Sequence, residues 1–207
     1  MRNASDSKIS KIITLVSSLP CFTLEDLVPV ENNRSYLKIL LSRYVKTGKL
    51  VRIKRGVYTA KTEPTTAQLE LTANLLTEPS YLSLEYILYQ YGLLTEIPIN
   101  YTSIALRKTG QFKNKWGIFV YHKIKPSLFV GYKTTREHDL LIQKATKAKA
   151  VFDYLYLRKN QLNDTSSMAE LRLNWDNLNS QDKRELRFYF KLEGNKKWKT
   201  LWPFGKK

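Results

Sequence analysis

Two sets of residues in this chain have types and spacings that could do chemistry. The first is acid–base. Arg136-Glu137-His138-Asp139 holds a histidine between two carboxylates, and Glu70, Glu85 and Asp153 supply further carboxylates. General acid–base work needs such groups to converge on one atom within hydrogen-bond reach. Adjacent helical positions do not converge, so the 136–139 run reads as a charged helix start. Hydrolysis of a nucleic acid would need the five carboxylates Glu70, Glu85, Glu137, Asp139 and Asp153 gathered by the fold. The chain contains no P-loop, no Gly-x-Ser-x-Gly, no His-Glu-x-x-His and no Gly-Ser followed by paired aspartates. With His122 and His138 as the only histidines and Cys21 as the only cysteine, no metal, no cofactor and no intrachain disulfide is expected. His122 sits in an expected strand as a structural histidine, and the chain is expected not to be an enzyme.

The second set is cationic. Gly48 to Tyr58 reads GKLVRIKRGVY, two apolar strand fragments around a Lys-Arg-Gly tip. The chain carries 35 basic and 18 acidic residues over 207 positions, a formal charge of +17, which favours an anionic partner. That charge is uneven: residues 1–61 carry +8, residues 62–182 carry +2 and residues 183–207 carry +7. No uncharged apolar segment approaches the ~20 residues that cross a bilayer, so no membrane partner and a cytoplasmic location are expected. Cations that hold phosphate backbones act without regard to base sequence, while helix-borne Arg or Asn can meet base edges.

The elements that must position these cations are legible in the apolar spacing. Ile9, Ile12, Ile13, Val16 and Leu19 predict an amphipathic helix over 7–18 that stops at Leu19-Pro20. Thr23, with Asp26 three residues on, predicts the cap of a short helix through Leu24–Leu27, and Pro29 ends it. Asn32 or Asn33 caps a third helix whose Leu37, Leu40, Leu41, Tyr44 and Val45 share a side, with Gly48 as its stop. In the hairpin, Val51 and Ile53 face one way and Arg52 and Lys54 the other, and Gly56 suits the positive-φ loop position. Three helices and a basic hairpin are the order of a winged helix-turn-helix. Asn33, Arg34 and Tyr36 then occupy the leading turn, where Arg or Asn can meet base edges. Ser35, Lys38, Ser42 and Lys46 lie on the outer face of the helix, flanked by Arg43, and Lys38, Arg43 and Lys46 join Arg52, Lys54 and Arg55 of the hairpin as phosphate contacts.

The polar stretch Glu63-Pro64-Thr65-Thr66 reads as a linker, so residues 1–62 are expected as the winged helix and 63–207 as a mixed α/β domain, α+β overall. Helices are expected over 66–76, from Ser83 to Gly92, over 137–158 and over 180–191, strands over 101–106, 116–123 and 128–132, and a polar loop around 163–166. Glu85 is expected to sit in a helix's first turn, favoured by the dipole. Basic and aromatic residues alternate in the tail from Lys196 to Lys207. Trp198, Trp202 and Phe204 suit either stacking on nucleic acid or docking on the domain, with docking favoured.

GKLVRIKRGVY, followed by PSYLSLEYILYQYGLL (79–94), GIFVYHKIKPSLFVGY (117–132) and ATKAKAVFDYLYL (145–157), resembles the AbiEi-type antitoxins of type IV toxin–antitoxin (abortive infection) systems over about residues 7–160. The resemblance implies a DNA-binding autorepressor acting at promoter inverted repeats. It also implies an antitoxin whose C-terminal domain counteracts a nucleotidyltransferase-type toxin without stable contact. It places the family's arginine-bearing hairpin on Arg52, Lys54 and Arg55, and its Tyr-x-Ser-Leu segment on Tyr81, Ser83 and Leu84. The family's Pro-Glu-Lys-Ala run is reduced here to Lys149-Ala150, with Asp153 kept and the proline and acid lost. A winged-helix transcription factor without a toxin partner has the same sequence features up to Lys61, and a nucleic-acid-processing enzyme is the remaining alternative.

Overall fold

A computed structural model of the chain describes residues 4–202 and residue 204. Among them the chain is mixed α/β, with eight α-helices and two sheets. It divides into two compact units: residues 1–72 with 113–116, and residues 73–112 with 117–207. The division falls inside a helix beyond the Pro64 stretch.

The first unit begins with α1 (Ala4–Ser18), β1 (Phe22–Thr23) and a single 3-10 turn (Glu25–Leu27), followed by α2 (Arg34–Lys46), β2 (Val51–Lys54) and β3 (Val57–Thr59). Ile12 and Val16 from α1, Leu37, Leu40 and Leu41 from α2, and Phe22, Leu27 and Leu50 between them form its core. The spacing of three and four along both helices puts these side chains on one stripe each, which burial then fixes. Where a short second helix is expected, the chain makes one 3-10 turn instead. The Asp26 carboxylate turns back to accept the Thr23 N–H at 2.6 Å and the Thr23 hydroxyl at 2.8 Å, closing the turn after three residues. Two residues are enough for β1, which pairs antiparallel with β3 and completes a sheet of order β1-β3-β2. The arrangement is compatible with a winged helix.

α3 (Thr66–Leu76) starts at a reciprocal capping box, with Thr65 N–H donating to Gln68 Oε1 at 2.9 Å and Gln68 N–H to Thr65 Oγ1 at 3.3 Å.

The second unit is built on a six-stranded sheet of order β6-β7-β5-β4-β9-β8, with β4 (Ser80–Leu82) and β5 (Tyr101–Ala105) central, β6 (Gly110–Asn114) and β7 (Gly117–Lys123) on one side, and β8 (Tyr132–Glu137) and β9 (Leu140–Ala145) on the other. β4 pairs antiparallel with β5 and parallel with β9, and β5 pairs parallel with β7. Between these strands and after them come α4 (Leu84–Gln90), α5 (Lys147–Arg158), α6 (Thr165–Glu170), α7 (Ser180–Glu193) and α8 (Lys197–Thr200), with α5 packed on both α4 and α7.

Several sequence expectations for this unit are corrected. The helix expected over 137–158 is broken: β8 and β9 form a hairpin whose tip is His138, at φ +55°, with Asp139, and α5 begins only at Lys147. Leu140, Leu141, Ile142 and Ala145 satisfy a helical stripe, but β4 offers β9 a ladder, and Thr146 caps the later helix by accepting the Lys149 N–H at 3.2 Å. The strand expected over 128–132 is displaced because Pro126 opens a 3-10 turn (Pro126–Leu128), and the strand starts at Tyr132. The loop expected around 163–166 contains the start of α6, capped by a reciprocal Asp164–Ser167 box. β4 and β6 are additions, too short or too polar to show period-two signal.

Candidate nucleic-acid interface

The cationic residues fall on one helix and one hairpin of the first unit. Burial of Leu37, Leu40, Leu41 and, partly, Tyr44 turns the opposite face of α2 outward. Ser35, Lys38, Ser42 and Lys46 are exposed on that face, and Arg43 is exposed beside it with Cζ 5.7 Å from the Tyr44 ring centroid. Tyr36 is 38 % exposed. Ile39, which sequence reasoning did not single out, lies among these residues at 69 % exposure, and an apolar side chain so placed suits contact with a thymine methyl. Its signal was present: an isoleucine on the polar side of an amphipathic helix has no packing reason to be there.

The leading turn is more committed than its residue types suggest. Asn33 is the N-cap, its Oδ1 accepting the Tyr36 N–H at 3.0 Å, while its own N–H donates to Glu31 Oε1 at 2.9 Å. Bidentate reading of adenine uses both carboxamide atoms, and one of the two lone pairs of Asn33 Oδ1 is already committed to the cap. Arg34 forms a forked pair with Glu25: Nη1 donates to Oε1 and Nη2 to Oε2, the latter at 2.7 Å. The arginine's hydrogen bonds hold the Glu25 carboxyl below the usual range.

In the hairpin, Val51 and Ile53 are buried while Arg52 and Arg55 are exposed and Lys54 is half-buried. The β2–β3 register slips between Arg52 and Lys54, so Arg52 opposes Tyr58 and Lys54 opposes Val57, with Arg55-Gly56 as the tip. Gly56 takes φ +81°, a conformation other L-residues rarely adopt. From Arg34 to Lys61 the sequence has nine basic and no acidic residues, so neutralisation must come from outside that stretch.

The carboxylates of the acid–base set are separately engaged. In the second unit Glu85 pairs with Arg158 at 2.7 Å, Glu137 with Lys144 at 2.5 Å and Asp139 with Arg136 at 3.4 Å. Glu70 is buried in the first unit. Among the described residues no three of His, Cys, Asp or Glu come together as metal ligands. Burial holds His122 below its usual range.

Tyr81, Ser83, Lys149 and Asp153, far apart in the chain, meet in one buried network. Lys149 Nζ lies 2.5 Å from Asp153 Oδ1, and Asp153 Oδ2 accepts the Ser83 hydroxyl at 2.8 Å and the Tyr81 hydroxyl at 3.1 Å. Ser83 therefore does not cap α4 with its side chain, as its position suggests; its hydroxyl serves Asp153. Loss of solvation pushes the Asp153 carboxyl up and the Lys149 ammonium down.

The tail docks on the second unit. Trp198 is 3 % exposed, stacks on Phe190 with centroids 4.6 Å apart, and donates Nε1–H to Glu193 Oε2 at 2.8 Å. Trp202 meets Phe190 and Phe204 edge-on. Lys206 and Lys207 lie outside the described residues. No helix among the described residues is long and apolar enough to cross a membrane.

Compared with known protein families, residues 10–61 match the model described as "Transcriptional regulator, AbiEi antitoxin". The match spans 52 of 207 residues and runs from within α1 past the end of β3, the stretch that carries the basic helix and hairpin. The resemblance to AbiEi-type antitoxins read from the sequence is thereby supported. No curated protein matches the chain.

Proposed function

We propose that the chain is a DNA-binding transcriptional autorepressor and the antitoxin of a type IV toxin–antitoxin pair, working in the cytoplasm. Its first unit acts as a winged helix-turn-helix. α2 lies in the major groove, where Arg34, Ser35, Tyr36, Lys38 and Ile39 meet base edges and nearby phosphates, and Lys46 and Arg43 hold the backbone. Arg52, Lys54 and Arg55 on the β2–β3 hairpin rest on the flanking phosphates. The observation that carries the reading is the transcriptional-regulator match to residues 10–61, which falls on a stretch whose exposed face is cationic from Arg34 to Lys61 without an internal acid. The proposal assigns the chain no catalysis, metal or cofactor. Its partners are duplex DNA with inverted repeats in its own promoter and, functionally but without stable contact, a nucleotidyltransferase-type toxin opposed by the second unit.

The test is a titration of the full chain against its own upstream promoter fragment and a scrambled duplex at two salt concentrations. Tighter promoter binding that persists at the higher salt is expected. Equal, salt-labile binding to both would reduce the +17 charge to nonspecific attraction. The antitoxin half is tested separately, by co-expression with the neighbouring reading frame. Rescue of growth is expected if that frame encodes the toxin. A winged-helix transcription factor without a toxin is the second reading, favoured by the fact that the family match ends at residue 61 and leaves the second unit unmatched.

A further inference from the structure

The forked pair between Glu25 and Arg34 has no stability rationale. Both side chains are more than half exposed, at 63 % and 56 %, and ion pairs so exposed contribute little to stability. Yet the carboxylate is delivered from a well-fixed support. The Glu25–Leu27 turn is closed by Asp26 on Thr23, and Leu27 is fully buried. Arg34 is fixed at the other end, as the first residue of α2 after the Asn33 cap.

The geometry of the fork decides what the arginine has left to give. Guanidinium carries five N–H donors in a rigid plane. Glu25 takes one from each Nη, which occupies the end edge. The side edge, Nε–H with the second Nη2–H, keeps two parallel donors, the number that guanine O6 and N7 accept in the major groove. The neighbouring carboxylate also compensates the charge of Arg34, and a compensated cation releases few counterions on meeting a phosphate.

We infer that Glu25 is a positioning residue that turns Arg34 from a phosphate contact into a guanine reader and suppresses its sequence-blind attraction to DNA. The inference rests on the proposed base-reading role of α2. Residues 32–62 contain no acid, and Glu31, just upstream, accepts the Asn33 N–H at 2.9 Å.

Full-length Glu25→Gln, Glu25→Asp, Arg34→Ala and Lys38→Ala are compared with the unsubstituted chain by titration against the promoter fragment and the scrambled duplex across a salt series. Glu25→Gln removes the charge and releases the guanidinium. It is expected to lower the promoter-to-scrambled affinity ratio about tenfold, within the discrimination of one bidentate base contact. It should also tighten binding to the scrambled duplex and steepen its salt slope by up to about 0.9. Glu25→Asp keeps the charge but withdraws the carboxylate by one methylene, so the ratio should fall while the salt slope stays unchanged. Arg34→Ala should lower the ratio with little change in slope.

Three outcomes would overturn the inference. If Arg34→Ala lowers the ratio and Glu25→Gln does not, base reading stands and positioning fails. If Glu25→Gln tightens both duplexes equally, Glu25 is only a repulsive charge. If neither Arg34→Ala nor Lys38→Ala changes the ratio, the base-reading role of α2 fails and the inference falls with it.

Discussion

At the scale of single residues, the Lys149–Asp153 pair sets two opposite charges against each other in the interior of the second unit. Both side chains are fully buried, and burial moves both pKa values toward the neutral forms. Removing one partner leaves an uncompensated buried charge, which typically costs about 3–5 kcal/mol, whereas replacing both with apolar side chains can be close to neutral. Lys149→Met and Asp153→Leu are each expected to lower the urea midpoint strongly. The double variant should lose less than either single one, its residual loss coming from the Tyr81 and Ser83 hydroxyls that lose their acceptor. Additive losses in that cycle would show that the pair is not coupled.

Asp26 supplies a pH prediction with a definite sign. The backbone N–H and hydroxyl of Thr23 hold its carboxyl below the usual range. A depressed folded-state pKa adds stability above the ordinary aspartate range that is lost as pH falls through the folded value. Stability between pH 5 and pH 3 should therefore fall less steeply in Asp26→Asn than in the unsubstituted chain, as read from urea midpoints at each pH. Asp153, raised by burial, works in the opposite direction, and its own variants separate the two contributions.

At the scale of elements, the proposed function gives α2 and the β2–β3 hairpin different roles, base reading and phosphate contact. Lys54→Ala with Arg55→Ala should weaken binding to all duplexes alike and flatten the salt slope by up to about two, since each phosphate contact contributes ~0.9. An unchanged slope would remove the hairpin from the interface. Asn33→Ala is expected to cost about 1 kcal/mol of stability by stripping the cap from α2, measured by denaturation without DNA. A stable Asn33→Ala chain that lost only promoter preference would instead make Asn33 a direct base reader. In the proposed interface Arg34 and Ile39 carry more of the base contact than Asn33, because the Asn33 carboxamide oxygen already accepts the Tyr36 N–H within its own helix.

At the scale of the whole molecule, the two units invite separate tests on one intact chain. An operator of inverted repeats, as proposed, would call for two copies per site. Light scattering of the complex with the promoter fragment is expected to give two chains per duplex, and one chain per duplex would make recognition half-site only. Substitutions in the first unit that abolish promoter binding should leave growth rescue in co-expression intact, while Lys149→Met should impair rescue at temperatures where promoter binding survives. Loss of both properties together in every variant would argue that the chain works only as a single body.

The sequence by itself determined the elements whose signals are local. Ile12 and Val16 of the α1 stripe, the apolar stripe of α2, the Asn33 cap, the Gly48 stop, the inward Val51 and Ile53 and the positive-φ Gly56 stand where spacing and backbone chemistry put them, whereas Ile13, counted in the α1 stripe, is 47 % exposed and Leu15 packs on the core in its place. α3 over Thr66–Leu76 and the start of α7 at Ser180 were legible for the same reason. Tertiary structure decided the rest. Leu140–Ala145 carries a stripe that serves helix or strand, and the ladder with β8 along its whole length, joined by β4 at Lys144, made it β9. Ser83 had the right type for a cap, but a buried carboxylate seventy positions away claimed its hydroxyl. Arg34 had the right type for a base contact, but which of its donors remain available depended on Glu25, nine residues upstream and brought near by a single 3-10 turn. Periodicity records what one element wants from its surroundings; partners chosen across the fold are set by packing, which no window along the chain contains.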